Sequence, residues 1–464
     1  MSELQQPLDY VHANRARFVG ELKDFIRFPS VSAKPEHRND AARCATWLAN
    51  HLRLIGLEKV TVIQTKGRPL IYAEWLHAPD RPTVLIYGHY DVQPAEPLEL
   101  WHSPPFEPTR RGDNLYGRGA SDDKGQMLAH IKSLESYLHT TGQLPVNVKC
   151  IFEGEEEIGS PNLMAFIEQN QRALAADVAL VSDMPMLAPN RPAITYSMRG
   201  ALSLELEVTG PKTDLHAGLF GGAVHNPLQG LTEILADLHD AGGRIAIPGF
   251  YDSVQPSSPE EKDYMARIGP SDEQILRDAR TEKGWGERTY TLYERTTLRP
   301  ALTINGILGG YQGPGPKAVI PAQATAKLNF RLVADQNPTA INQLFKKHVG
   351  RITPFTLRST VRTDFATRPV LVNRRNSFIR AATIACHKAF GAAPVFIRSG
   401  GTIPAVSAFH HILRMPTVMM GFALPDDRIH APNEKFHLPN FYKGIAASIF
   451  FLAELGAKRE VNAR

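Results

Sequence analysis

The residues of this sequence that could do chemistry recur at one kind of place, just after short apolar runs. His89 follows TVLIYG (83–88), Glu155, Glu156 and Glu157 follow VNVKCIFEG (146–154), Asp183 closes DVALVSD (177–183), and His430 lies beyond TVMMGF (417–422). Singly, a histidine after a strand is more often structural and an acidic triplet more often a solvated loop; the recurrence carries the signal. Carboxylates crowded into a partly buried cleft repel one another and resist desolvation, whereas divalent cations make the same cluster favourable. Two histidines with several carboxylates suit zinc, and also manganese or cobalt. No C-x-x-C pair stands near them, which argues against a structural zinc knuckle and for a catalytic centre with open coordination positions. Asp91 follows His89 by two residues in GHYDVQP. At that spacing its carboxylate can accept the other imidazole N–H and fix the tautomer, or it can be a solvent-facing turn residue.

These groups need a frame that brings them together. The apolar runs, separated by helical stretches, read as buried strands of a mostly parallel α/β sheet, and ligands gather outside the carboxyl ends of such strands. Residues 40–55 predict an amphipathic helix with Cys44, Trp47, Leu48, Leu52 and Ile55 on one face and Gly56 as its stop. ALSLELEV (201–208) and KLNFRL (327–332) instead alternate apolar and polar residues, as in a sheet with one wet face. An α+β domain inserted into an α/β domain is therefore expected, with 1–198 plus 368–464 forming one domain and 199–367 the other. The Gly/Pro-rich GGYQGPGPK (309–317) lacks the Walker spacing and reads as a tight turn.

Composition removes several alternatives. A chain of 464 residues exceeds the usual size of a single core, which favours two domains. With 52 basic against 47 acidic residues and no run of five or six like charges, nothing points to a nucleic-acid partner. Nowhere do about 18 apolar residues run together, and the N-terminus lacks a signal-peptide core, so no membrane partner and no export are expected. Cys44, Cys150 and Cys386 are odd in number and far apart, which suits buried thiols in a reducing, cytoplasmic compartment. No G-x-S-x-G elbow marks a serine hydrolase.

The sequence resembles the metallopeptidase family that includes carnosinase, cytosolic nonspecific dipeptidase, succinyl-diaminopimelate desuccinylase and acetylornithine deacetylase. GHYDVQP (88–94), LYGRGASDDKG (115–125), EGEEEIGS (153–160), VSD (181–183), DLHAGLFGG (214–222) and HAPNEKF (430–436) occur in the family's order and span nearly the whole chain. The resemblance implies a phosphorylase/hydrolase-like catalytic domain, an inserted lid and dimerisation domain, and two divalent metal ions per subunit, zinc first and manganese or cobalt next. It implies that Asp122 bridges both ions, often before a cis peptide. His89 and Asp183 would complete one site, and Glu157 and His430 the other. Glu156 would be the general base, with Glu155 as the rival in register; Asp91 stays a catalytic candidate through its place beside His89. His216 would reach across a homodimer to stabilise the oxyanion, and Arg331 would hold the substrate carboxylate. Gly401 and Thr402 match a loop at the substrate end, and Asn305 is a further candidate in TINGILGG.

The long insert, with its Pro/Asp/Glu/Arg-rich stretch at 249–300, resembles the longer dipeptidases. The expected activity is therefore hydrolysis of dipeptides that carry a free carboxylate. A deacylase or carboxypeptidase acting on N-acyl amino acids is the rival, and a catalytically silent dimeric binding protein the third reading. Ala318 and Thr402 depart from the dipeptidase pattern, which has a hydroxyl residue and a serine there, and so bear on substrate choice.

Overall fold

Short runs rich in Val, Ile and Leu, such as Val178–Val181 and Thr417–Met420, are buried along their whole length, as strands covered on both faces must be. The structure, a computed structural model, describes residues 4–457. Residues 1–3 and 458–464, the outer ends of the first domain expected from the sequence, lie outside the described residues. The chain divides into two units. One comprises residues 1–196, 372–397 and 403–464, and the other residues 197–371 and 398–402.

The first unit is α/β. Its sheet runs in the order Glu58–Ile63, Leu70–Trp75, Asn147–Glu153, Thr83–His89, Val178–Val181, Thr417–Met420, Ala193–Met198. The four strands from Asn147–Glu153 to Thr417–Met420 pair in parallel, and the flanking pairs are antiparallel. All four parallel strands therefore end on the same side, with His89 in register with Glu153 and Tyr87 with Val181. The Arg38–Leu54 helix buries Cys44, Leu48 and Leu52 and gives way to Gly56 at φ 98°, a left-handed conformation that suits glycine. The Lys124–Thr141 helix packs against Thr83–His89 and the Leu438–Ala457 helix, and it is buried from Lys124 through Tyr137.

The second unit is an antiparallel sheet in the order Ala301–Gly309, Gln323–Leu332, Gly200–Thr209, Arg358–Thr367. The alternation seen in the sequence becomes its two faces. Leu202, Leu204, Leu206 and Val208 join Leu328, Phe330 and Leu332 in a core closed by Leu231 and Ile234 of one helix and Ile341 and Phe345 of another. Arg331 therefore projects from the face opposite this core. At the edge, Ala301–Gly309 leaves Ile304, Ile307 and Leu308 exposed.

Candidate metal centre

The ends of the four parallel strands supply the cluster. His89 is the last residue of its strand; Glu156 and Glu157 lie on a single turn just past Glu153; Asp183 lies two residues past Val181; His430 lies on the loop after Met420. Asp122 arrives from a loop directly before the Lys124–Thr141 helix, and the Asp122–Asp123 peptide is cis. A Cβ on Gly125 would lie 2.1 Å from the Ala120 carbonyl oxygen, so only glycine lets the helix begin this close behind the loop.

Two triads result, His89–Asp122–Asp183 and Asp122–Glu157–His430, each with one ligand atom per residue within 4.8 Å of the others. Asp122 belongs to both. Its Oδ1 lies 3.0 Å from His89 Nε2 and its Oδ2 lies 2.8 Å from His430 Nε2. Asp183 Oδ2 is 3.7 Å from His89 Nε2, and Glu157 Oε2 is 3.2 Å from His430 Nε2.

Asp91 ties the parts together. His89 Nδ1 is 3.1 Å from the Asp91 carbonyl oxygen and 3.3 Å from its carboxylate Oδ1. That carboxylate accepts hydrogen bonds from the Glu156 and Glu157 amides, at 3.2 and 3.1 Å. One buried aspartate thus fixes both the imidazole and the acidic turn. Gln93, which sequence reasoning missed although it lies inside GHYDVQP, donates to Glu157 Oε2 at 2.8 Å. Glu155 is engaged elsewhere, its oxygens accepting from the Arg68 amide at 3.0 Å and Asn162 Nδ2 at 2.6 Å.

The electrostatics bear on what the cluster can hold. Burial, with the Asp122 charge, pushes Asp183 up to about 7 and raises Glu157, and burial with Asp183 and Glu157 raises Glu156 well above the usual carboxylate range. Hydrogen bonds to Asp122 and Glu157 lift His430 to about 10, and despite burial the Asp122 and Asp91 carboxylates hold His89 well above its ordinary value. Three carboxyls pushed toward their neutral forms and two imidazoles pushed toward their charged forms, around an Asp122 carboxyl that, despite burial, His430 and His89 hold well below its ordinary value, fit cations held between them, which would favour anionic carboxylates and neutral imidazoles. A third group, Glu21, His51 and Glu135, does not fit a metal in the same way. There the Lys132 ammonium already stands 2.6 Å from His51 Nε2 and 2.6 Å from Glu135, and also pairs with Glu21.

The remaining sequence candidates lie in the second unit. Arg331 Nη1 donates to Thr402 Oγ1 at 2.9 Å, and that hydroxyl donates to the Arg199 carbonyl at 2.6 Å. Gly401 is exposed beside Thr402, its amide bonded to Ser399 Oγ. Asn305 lies at an irregularity of the exposed edge strand and accepts from Thr303 Oγ1. His216 is exposed, pairs with Val319, and accepts from the Gly218 amide through Nδ1 at 3.0 Å. Ala318 sits at the same place, its carbonyl accepting from the Ala217 amide.

Residues 85–453 match the model of peptidase family M20/M25/M40. The chain belongs to that family. This M20 chain is 31% identical to the Beta-Ala-His dipeptidase of Homo sapiens over 471 residues, covering 97% of this chain and 92% of the relative. It is 31% identical to a Cys-Gly metallodipeptidase of Schizosaccharomyces pombe, covering 98% of each. Among solved structures, an M20 family metallo-carboxypeptidase from Sulfolobus solfataricus superposes with a TM-score of 0.85 at 33% identity, over 95% of this chain and 99% of the other. As an M20 peptidase the chain is a hydrolase that uses divalent metal. Among the described residues, no helix is long and apolar enough to cross a membrane.

Proposed function

We propose that this M20 peptidase is a dipeptidase that hydrolyses the amide bond of dipeptides bearing a free C-terminal carboxylate, with two zinc ions per subunit. The observation that carries it is the sharing of Asp122 between two His/carboxylate triads, a donor set for two adjacent cations. His89 and Asp183 would hold one ion and Glu157 and His430 the other, with Asp122 offering an oxygen to each. When bound, the pair supplies an acidified water and polarises the scissile carbonyl. Glu156 takes a proton from the attacking water and returns it to the leaving amine. Asp91 holds the Glu156 turn and the His89 ring. Arg331, steadied by Thr402, offers a fork that matches a carboxylate, with Gly401 and Asn305 as further contacts.

The enzyme acts as a homodimer with His216 supplied across the interface. Its Nδ1 already accepts the Gly218 amide, which leaves the proton of a neutral ring on Nε2, free to donate to an oxyanion. Leu219 and Phe220 stand exposed next to it, and the edge strand Ala301–Gly309, which ends the order of its sheet, exposes Ile304, Ile307 and Leu308; both are surfaces that a second copy would cover. His216→Ala is expected to lower kcat by about 10²-fold or more, the cost of one oxyanion donor, with the dimer intact by sedimentation. Full activity in that variant, or in a stable monomer, would refute the assignment. Three free, buried thiols suit the cytosol.

The test is turnover by purified protein loaded with zinc, manganese or cobalt, with a chelator control, on matched dipeptides, tripeptides and N-acyl amino acids. Chelator-sensitive cleavage confined to dipeptides is expected. The metallo-carboxypeptidase neighbour keeps a second reading in play, and preference for acyl amino acids would establish it. No turnover with metal fully loaded would leave a binding protein.

A further inference from the structure

Sequence reasoning passed over one residue inside HAPNEKF. Glu434, four residues after His430, is fully buried, and its carboxylate is enclosed by donors. Its Oε1 accepts from the amides of Ser121 at 2.9 Å and Asp122 at 3.1 Å. Its Oε2 accepts from the Gly119 amide at 2.9 Å and from Arg118 Nη1 at 2.8 Å. Arg118 in turn reaches the carbonyls of Pro94 and Ala431, at 3.2 and 3.4 Å, so the guanidinium also touches the residue after His430. A second strut runs parallel to the first. Asp427 accepts from Ser121 Oγ at 2.9 Å and from the Leu424 amide at 2.7 Å, and pairs with Lys435 at 2.8 Å.

Satisfying Arg118 would need only one oxygen of a carboxylate. Glu434 also grips three backbone amides, and the last belongs to Asp122, whose two oxygens face His89 and His430. Ligands in both triads are thereby referred to one buried group. We infer that Glu434 is a positioning residue that sets Asp122 midway between the two metal triads and couples its place to that of His430. This rests on the two-metal reading of the site.

The experiment uses the full chain, stripped of metal by chelator and titrated with Co²⁺, read by calorimetry and by visible absorption of the bound ion. Glu434→Gln turns one oxygen into a donor that must face donors; Glu434→Asp keeps the charge but is one methylene too short to span the amides and Arg118 together. Wild type is expected to take up two ions per chain. The variants, still folded by far-UV circular dichroism when metal-free, are expected to bind about 10–100-fold more weakly, the usual cost of removing a group that orients a ligand, and with an altered Co²⁺ spectrum. A folded variant with wild-type affinity and spectrum would overturn the inference. So would failure of both variants to fold without metal, because Glu434 would then be a folding residue. A wild type that binds no Co²⁺ would instead defeat the two-metal reading, and the inference with it.

Discussion

Glu156→Ala is expected to retain both metal ions and to lose about 10²–10⁴-fold in kcat, the usual worth of positioned proton transfer. Glu156 belongs to neither triad, so truncation removes no ligand atom. Its backbone amide bonds Asp91 Oδ1 at 3.2 Å, a contact that alanine preserves, and with it the orientation of Glu157 one residue on. What disappears is a half-buried carboxyl whose surroundings resist its ionisation, burial first and Asp183 and Glu157 next. Cations in the triads offset part of that resistance, leaving a group able both to accept a proton and to give it back. Metal content by elemental analysis, read beside kcat, separates the possibilities. Loss of an ion would make Glu156 a ligand, and unchanged kcat with both ions present would show that it moves no proton.

The four parallel strands were legible because a strand buried on both faces must be apolar throughout, as Val178–Val181 and Thr417–Met420 are. The alternating strands of the second unit were legible because one face is dry. Ala301–Gly309 was not, since at the edge its apolar Ile304, Ile307 and Leu308 face outward and follow no periodic rule. Nor was Lys124–Thr141, which is buried all round yet carries Lys124, His130, Lys132 and Glu135. Lys124 finds its partners far off in sequence, at the Phe25 and Phe28 carbonyls, and so does His130, at Ser182 and Ser448; Lys132 and Glu135 pair with each other and also reach Glu21 and Arg17. No window of sequence records such a pairing. The same limit divides the site. His89, Glu157, Asp183 and His430 could be suspected from their places after apolar runs, whereas Asp122 sits on a loop shaped by Glu434, 312 residues away, and only the family resemblance pointed to it.

Asp122→Ala is expected to empty the site. Each triad then keeps two protein ligands, His89 with Asp183 and Glu157 with His430, fewer than the three that a catalytic zinc site ordinarily has. The loss is also electrostatic, because one carboxylate faces both imidazoles, at 3.0 and 2.8 Å. Elemental analysis after dialysis should find close to no metal in this variant and two ions in wild type. Thermal denaturation gives an independent reading. Ligand that binds only the folded state, at a free concentration about a hundredfold above its Kd, stabilises by about 2.7 kcal/mol, so added zinc should raise the melting temperature of wild type and of Glu156→Ala but not of Asp122→Ala. Two ions retained by Asp122→Ala, or an equal thermal response to zinc in all three proteins, would show that the shared carboxylate does not hold the pair.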